Sequence, residues 1–302
     1  MLARHLRLPL VLAATTVAVT VLVWDVLPSR WFFAHRCRGL PHPWQSSAAA
    51  SVVSAPVAVL TVADSFLEAN PAQRLRARLA RNRQAFCERW NYTCLMPDAL
   101  PNQPFPAAWS KLDLAEEALA AHEFVLVVDA DAVVMRTDID IGVALAAMAA
   151  AGHSLAITAD SNNLNSGVFV VRRGPWATAF FAEVRRVRPT LARQTVTLPL
   201  KYENRAFYYL TGMWPAHGAG FPRIDTWLAP SYNNTAYFRA GVHELERCLL
   251  NTRPYNPSHL WDLAKSDASY DDATNAFIVH AAGGFLRDKL RVVNALLAAA
   301  GH

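Results

Sequence analysis

The chain has 302 residues, is 53% hydrophobic and 18% charged, and carries a net charge of +5. That composition supports a large core and excludes a disordered chain, and no repeat or low-complexity tract points to a solenoid. Four cysteines are too few for a disulfide scaffold.

Residues 1–7 hold Arg4, His5 and Arg7, and Leu8 to Trp24 then run without a charge. That run makes a helix of about 25 Å, and Val26 and Leu27 can extend it. No small-x-small cleavage site follows, so residues 8–27 are expected to be a transmembrane signal anchor behind a short cytosolic tail. Arg30, Arg36 and Arg38 beyond it nearly match Arg4 and Arg7, so flanking charge decides little about orientation. A tail this small cannot be a domain. The body is therefore expected on the lumenal side of a Golgi or ER membrane, in single-pass type II topology. Residues 28–55 mix Pro, Ser, Ala and scattered Arg, the composition of a stem or linker. Residues 56–302 remain for one α/β domain.

Pro56 to Ala63 reads as a first buried strand, followed by a helix over Asn70–Trp90 with Asn70 as cap and Pro71 in the first turn. The apolar face of that helix is Leu75, Leu79, Phe86 and Trp90, and its six arginines from Arg74 to Arg89 are expected on a solvated basic face. No exposed aromatics interleave with them, so nucleic acid is not an expected partner. Thr93 to Met96 is a short second strand. In an oxidising lumen Cys87 and Cys94 could bridge the helix end to it, and Cys37 could join a second chain into a homodimer; four free thiols fit the spacing equally well. Asn91-Tyr92-Thr93 and Asn233-Asn234-Thr235 are acceptor sequons, a pattern that also arises by chance.

A loop with Pro97, Pro101, Pro104 and Pro106 leads to a helix over Ala108–Ala121 and then to the strand Val125-Leu126-Val127-Val128, which ends in Asp129-Ala130-Asp131. Strand, helix, strand, helix, strand predicts parallel pairing with right-handed crossovers. Ligands in such sheets sit beyond the carboxyl ends of the strands, where Asp129 and Asp131 fall. Residues i and i+2 of a strand point the same way, so the two carboxylates can converge. They repel unless a cation lies between them, and an oxygen-loving divalent ion that also accepts phosphate suits the place. The plainer alternative is a pair of acids capping a turn. Neither Gly-x-Gly-x-x-Gly nor a Walker loop is present, so phosphates would be met by metal and side chains.

An Ala-rich helix follows near Ile141–Ala151, then a strand over Leu155–Thr158. The polar cluster from Asp160 to Gly167 separates it from a strand over Val168–Val171, and reads either as a ligand-contacting segment or as a tight turn. Gly174 and Pro175 start an amphipathic helix with Trp176, Phe180 and Val184 on one face. Phe285, Leu286, Leu290, Val293 and Leu297 form the core face of a last helix. The nine tryptophans read mostly as core or interface, and only Trp109 and Trp227 are candidates to stack on a ligand ring.

Five segments occur in order: Trp109-Ser110-Lys111-Leu112; Val128-Asp129-Ala130-Asp131; Leu164-Asn165-Ser166-Gly167 through Arg172, with Trp176 after it; Tyr202-Glu203-Asn204-Arg205-Ala206; and Phe277-Ile278-Val279-His280-Ala281-Ala282-Gly283. Together they resemble the galactosyl- and xylosyltransferases of glycosyltransferase family 34 and related nucleotide-diphospho-sugar transferases, over roughly Val57 to Leu297. The resemblance implies a GT-A fold, a mixed and mainly parallel Rossmann-like sheet flanked by helices. It also implies transfer of a hexose or pentose from a nucleotide-diphosphate sugar, expected to be a UDP-sugar, to a glycan acceptor with retention of configuration.

By the same resemblance, Asp129 and Asp131 hold Mn²⁺ (or Mg²⁺) against the donor diphosphate, with His280 as third ligand. Lys111 reaches the nucleotide phosphates. Asp160, Asn165 and Ser166, with Gly167, line the donor-sugar pocket, and Glu203 with Asn204 forms a polar pair opposite. Asp160, Glu203 and Asn204 are the catalytic candidates. Two departures are visible: the expected Glu-Gln-x-Ala reads Glu203-Asn204-Arg205-Ala206, and His280 is followed by Ala-Ala-Gly-Gly.

The chemistry agrees, since a cation placed at the leaving diphosphate lowers the barrier to breaking its bond to the sugar. On their own, His280 also reads as a core histidine, Lys111 as an ordinary helix-start lysine, Asp160 as a turn cap and Glu203 as a solvated helix residue. Two other classes compete. One is a catalytically silent relative kept as a membrane-anchored partner. The other is a haloacid-dehalogenase-type phosphatase, which needs a second acidic pair after an apolar strand; Asp271-Asp272 follows Ser269-Tyr270, which is no such strand.

Overall fold

Val57–Leu60 (β1) and Phe124–Val128 (β3) are short, wholly apolar and buried on both faces, as strands in the middle of a covered sheet must be. The computed structural model describes residues 44, 54–62, 75–98, 100, 104–160, 163–193, 203–213, 234–245, 247–250, 276–281 and 286–302. The remaining elements, in chain order, are α1 (Leu75–Trp90), β2 (Thr93–Leu95), a 3₁₀ turn (Ala107–Trp109), α2 (Ser110–Ala118), β4 (Ala132–Val134), α3 (Gly142–Ala150), β5 (Leu155–Asp160), β6 (Asn163–Arg172), α4 (Pro175–Arg193), α5 (Asn204–Thr211), α6 (Thr235–Ala240), β7 (Val242–Leu245), α7 (Arg247–Leu250), β8 (Ile278–His280) and α8 (Leu286–Ala299).

Six strands form one sheet in the order β2-β1-β3-β6-β5-β7. β1 pairs parallel with both β2 and β3, and β5 pairs parallel with β7. β6 runs antiparallel to its neighbours β3 and β5. The sheet is thus mixed and mainly parallel, as the fold class requires. The polar cluster was open to a turn reading, yet residues 163–167 form the first half of β6. The reason is pairing: Asn163, Leu164 and Asn165 have β5 partners in Asp160, Ala159 and Thr158.

Alternation along the strands divides the core. Ala58, Leu60, Val125, Val127, Ile157 and Phe169 face one way, toward α2, α4, α5 and α6. Val57, Val59, Leu126, Val128, Val168 and Val170 face the other, toward α1 and α3. Trp109 is fully buried in the first layer, so it is core and presents no face for a sugar or base. Trp227 lies outside the described residues.

The 28–55 segment is more than a spacer at one point. Trp44 is buried, packs edge-on against Phe277 at 6.4 Å between ring centroids, and accepts a 3.0 Å hydrogen bond from the Asp140 amide through its carbonyl. Cys87 and Cys94 are joined in a disulfide that ties the end of α1 to β2. Cys37 and residues 8–27 lie outside the described residues, among which no helix is long and apolar enough to cross a membrane.

Helix α1 departs from the expected solvated basic face. Asn82 and Arg83 are buried alongside Leu75, Leu79 and Phe86, because positions 75, 79, 82, 83 and 86 share one side of a helix. Asn82 works as a two-point clamp on β4: its Nδ2 donates to the Val134 carbonyl at 2.8 Å and its Oδ1 accepts from the Val134 amide at 3.0 Å. Asn82→Ala would leave both backbone groups buried and unsatisfied. It is expected to cost about 2–4 kcal/mol, read as a lowered midpoint in chemical denaturation.

Candidate metal and donor site

Asp129 and Asp131 stand at the carboxyl end of β3, and two features of the sheet build a site around them. The first is a register shift in β6. The partner of Ile157 is Phe169 and that of Thr158 is Asn165, so Ser166, Gly167 and Val168 are squeezed between consecutive pairs. Such irregularities re-aim a strand and recur beside active sites. Here the Gly167 carbonyl accepts from the Asp129 amide at 2.7 Å, and Ser166 is left to face Lys111 and Glu203.

The second feature is a separate two-stranded antiparallel sheet, β4 with β8, that sequence patterning did not reveal. Its register sets Ala132 opposite His280, and the Ala281 amide donates to the Asp131 carbonyl at 2.9 Å. His280 is thereby brought beside Asp131, with its Nε2 3.1 Å from Asp131 Oδ1. One ligand atom from each of Asp129, Asp131 and His280 lies within 4.8 Å of the others. Two carboxylates and an imidazole at that spacing fit a divalent ion and leave coordination positions open, unlike a closed structural zinc site.

Gly167 is required by this geometry. A Cβ at that position would stand 1.9 Å from His280 Cε1 and 2.5 Å from its Nδ1. Only a bare backbone lets the imidazole lie where it does.

The carboxylates are answered by cations from three helices. Lys111, in the first turn of α2, is buried; its Nζ lies 2.8 and 3.0 Å from the two Asp129 oxygens, 2.6 Å from Glu203 Oε1 and 3.0 Å from the Ser166 carbonyl. Arg83 donates to the carbonyls of Asp129 and Ala132 and to Thr61 Oγ1, holding the turn that carries the acids. Lys289, the fourth residue of α8, places its Nζ 2.6 Å from Asp131 Oδ2.

These partners divide the two acids. Burial pushes the Asp129 carboxyl up to about 6, with Asp131 and Glu203 adding to the rise and Lys111 and His280 opposing it. Burial also acts on Asp131, but His280 and Lys289 outweigh it and hold that carboxyl far below the usual range. For Lys111, burial is outweighed by Asp129 and Glu203, which raise its ammonium above the ordinary lysine value. Burial lowers the Arg83 guanidinium, against the attraction of Asp129.

Other expected site residues gather on the far side of Lys111. Ser166 Oγ donates to Glu203 Oε1 at 2.6 Å, and the Ser166 amide donates to Asn204 Oδ1 at 2.8 Å. Asn165 Oδ1 accepts from the Gly167 amide at 2.8 Å. Glu203 is buried rather than solvated, and its Oε2 has no hydrogen-bond partner among the described residues. Asp160 ends β5, where its backbone pairs with Asn163.

Residues 54–146 match the sequence profile of the galactosyl transferase GMA12/MNN10 family, a stretch that includes Lys111, Asp129 and Asp131. The chain also resembles the crystal structure of a glycosyltransferase involved in glycosylation of the major capsid of PBCV-1. The TM-score is 0.50 at 14% identity, covering 79% of this chain and 98% of that one.

The chain has a GT-A-type fold.

Similarity to the galactosyltransferase LgtC, solved with donor and acceptor sugar analogs, is weaker: TM-score 0.43, 14% identity, 81% of this chain and 95% of that one. For GlyE of Streptococcus pneumoniae TIGR4 the values are 0.44, 10%, 81% and 62%. No curated protein sequence matches the chain.

Arg83, Asn82 and Lys289 were missed in the sequence. Helical spacing could have found the first two, since they fall on the apolar side of α1. Lys289 carried a fainter signal, a cation in the first turn of a helix, where the dipole disfavours positive charge. Gly167→Ala should displace the His280 ring and, if a divalent ion binds here, weaken its binding by roughly 10- to 100-fold, measured with Mn²⁺ as probe by electron paramagnetic resonance of the unbound ion, while the far-UV spectrum stays unchanged.

Proposed function

We propose that the chain is a glycosyltransferase, Mn²⁺-dependent (or using Mg²⁺), that moves a hexose or pentose from a UDP-sugar or related nucleotide-diphosphate sugar to a glycan, with retention of anomeric configuration. The observation that carries this reading is the convergence of Asp129, Asp131 and His280 at the carboxyl end of β3. A divalent ion held there would supply positive charge to the departing diphosphate.

The chain's own groups then take distinct parts. Asp129, Asp131 and His280 present the O,O,N donor set. Lys111 fixes the orientation of the Asp129 carboxylate and adds positive charge on the donor side of the site. Asn165, Ser166 and Gly167 form the bulged edge against which the donor would lie. Asp160, Glu203 and Asn204 are assigned to the sugar side, where Ser166 links Glu203 and Asn204 to that edge. The departing phosphate would take the acceptor's proton on the same face, so no dedicated base is required of the protein.

The uncharged run Leu8–Trp24 supports a Golgi or ER signal anchor with the catalytic domain in the lumen. Cys37 is the residue through which two chains would join as a homodimer.

A thermal-shift panel of nucleotide sugars with and without Mn²⁺ tests donor and metal together: stabilisation by one donor in the presence of Mn²⁺ is expected, and equal shifts without metal would overturn metal dependence. Asp131→Asn is expected to abolish Mn²⁺-dependent transfer while the protein stays folded. Protease applied to sealed microsomes is expected to spare the body, and its digestion would refute the lumenal topology.

A further inference from the structure

Two lysines reach the acid pair, and they are built differently. Lys111 is buried and shared among Asp129, Glu203 and the Ser166 carbonyl, so moving it would strip charge from two carboxylates at once. Lys289 approaches from the other side, and its side chain is 26% exposed. It stands in the first turn of α8, where the helix dipole disfavours an ammonium and only a nearby anion offsets that cost. Its four-carbon stem lets the charge swing by several ångströms without moving the helix.

The ammonium at 2.6 Å from Asp131 Oδ2 lies in the same shell that a divalent ion would enter. A carboxylate-bound ion such as Mg²⁺ sits about 2.0–2.1 Å from its oxygens. Lys289 and such an ion would therefore be placed within a few ångströms of each other, and a doubly charged neighbour repels the ammonium twice as strongly as a singly charged one. His280 Nε2 stands 3.1 Å from the other oxygen, Oδ1, so an ion shared by Asp131 and His280 would still lie on the carboxylate that Lys289 holds.

We propose that Lys289 is a tethered counter-cation that yields Asp131 to a divalent ion only when a diphosphate offers its ammonium another anion, making metal and nucleotide uptake mutually dependent. This rests on the metal reading of Asp129, Asp131 and His280. In the metal-free protein Lys289 keeps Asp131 neutralised and the site assembled. With metal alone, the ammonium must be turned out to water and that loss lowers metal affinity. With a nucleoside diphosphate present it gains new oxygens, and by linkage each ligand then strengthens the other by the same factor.

The test is Mn²⁺ titration of the full-length protein, followed by electron paramagnetic resonance of free Mn²⁺, with and without UDP as probe. Lys289→Met is expected to bind Mn²⁺ alone roughly 5- to 50-fold more tightly than the unmodified chain and to lose most of the UDP-induced gain, whereas Lys289→Arg should behave like the unmodified chain. Unchanged or weaker Mn²⁺ binding by folded Lys289→Met, or an undiminished UDP effect, would overturn the exchange. Lys289→Gln is the second variant should Lys289→Met not fold, with the same expectation. Asp131→Asn separates this from the metal reading: Mn²⁺ binding that survives in Asp131→Asn sinks both. Its loss there, together with no gain in Lys289→Met, sinks the exchange alone.

Discussion

Three carboxylates, Asp129, Asp131 and Glu203, are held together at one end of the central sheet, and their mutual repulsion is the constraint to which the surrounding structure responds. In a place partly closed to water, such a cluster is stable only if each charge has a partner. Lys111 bridges Asp129 and Glu203, Lys289 and His280 face Asp131, and Arg83 grips the carbonyls of the turn. These partners come from α2, α8, β8 and α1, elements spread from one end of the domain to the other. The site is therefore a product of the whole domain, and no short segment could make it.

The backbone solves the accompanying geometric problem. A regular β6 would not crowd Ser166 and Gly167 between the partners of Ile157 and Thr158; the register shift sets the Gly167 carbonyl on the Asp129 amide and Ser166 beside Lys111 and Glu203. The β4–β8 ladder does the corresponding work for the imidazole by fixing Ala132 opposite His280. Gly167 is where these two solutions meet, because the absent Cβ is the space the His280 ring fills. Rigid pairing on both sides keeps the two acids and the imidazole in place before any ligand arrives, which is what a site that stabilises developing charge requires.

Much of this was legible in the chain. The apolar run ending in Asp129-Ala130-Asp131 gave the strand, its direction and the edge on which ligands gather. The spacing of Leu75, Leu79 and Phe86 gave α1, and Pro175 gave the start of α4. Where local reading falls short it follows one pattern: polar residues taken in isolation default to solvent or to turns. Arg83 was placed on a solvated face, Glu203 was open to the same reading, and residues 163–167 were open to a turn. In each case a specific long-range partner, Asp129, Lys111 or β5, reverses the local preference.

The sequence by itself determined most elements from β1 to α4, the last helix, and the chemical types available to the site. Those properties follow from local periodicity and from side-chain chemistry, which do not depend on distant contacts. Only the tertiary structure decided the partners. That His280 stands beside Asp131, that Lys111 joins Asp129 to Glu203, and that Lys289 reaches back across 158 residues to Asp131 are facts of strand register and helix placement. They depend on where buried charge finds compensation in three dimensions, and nothing in the local sequence of either partner encodes that distance.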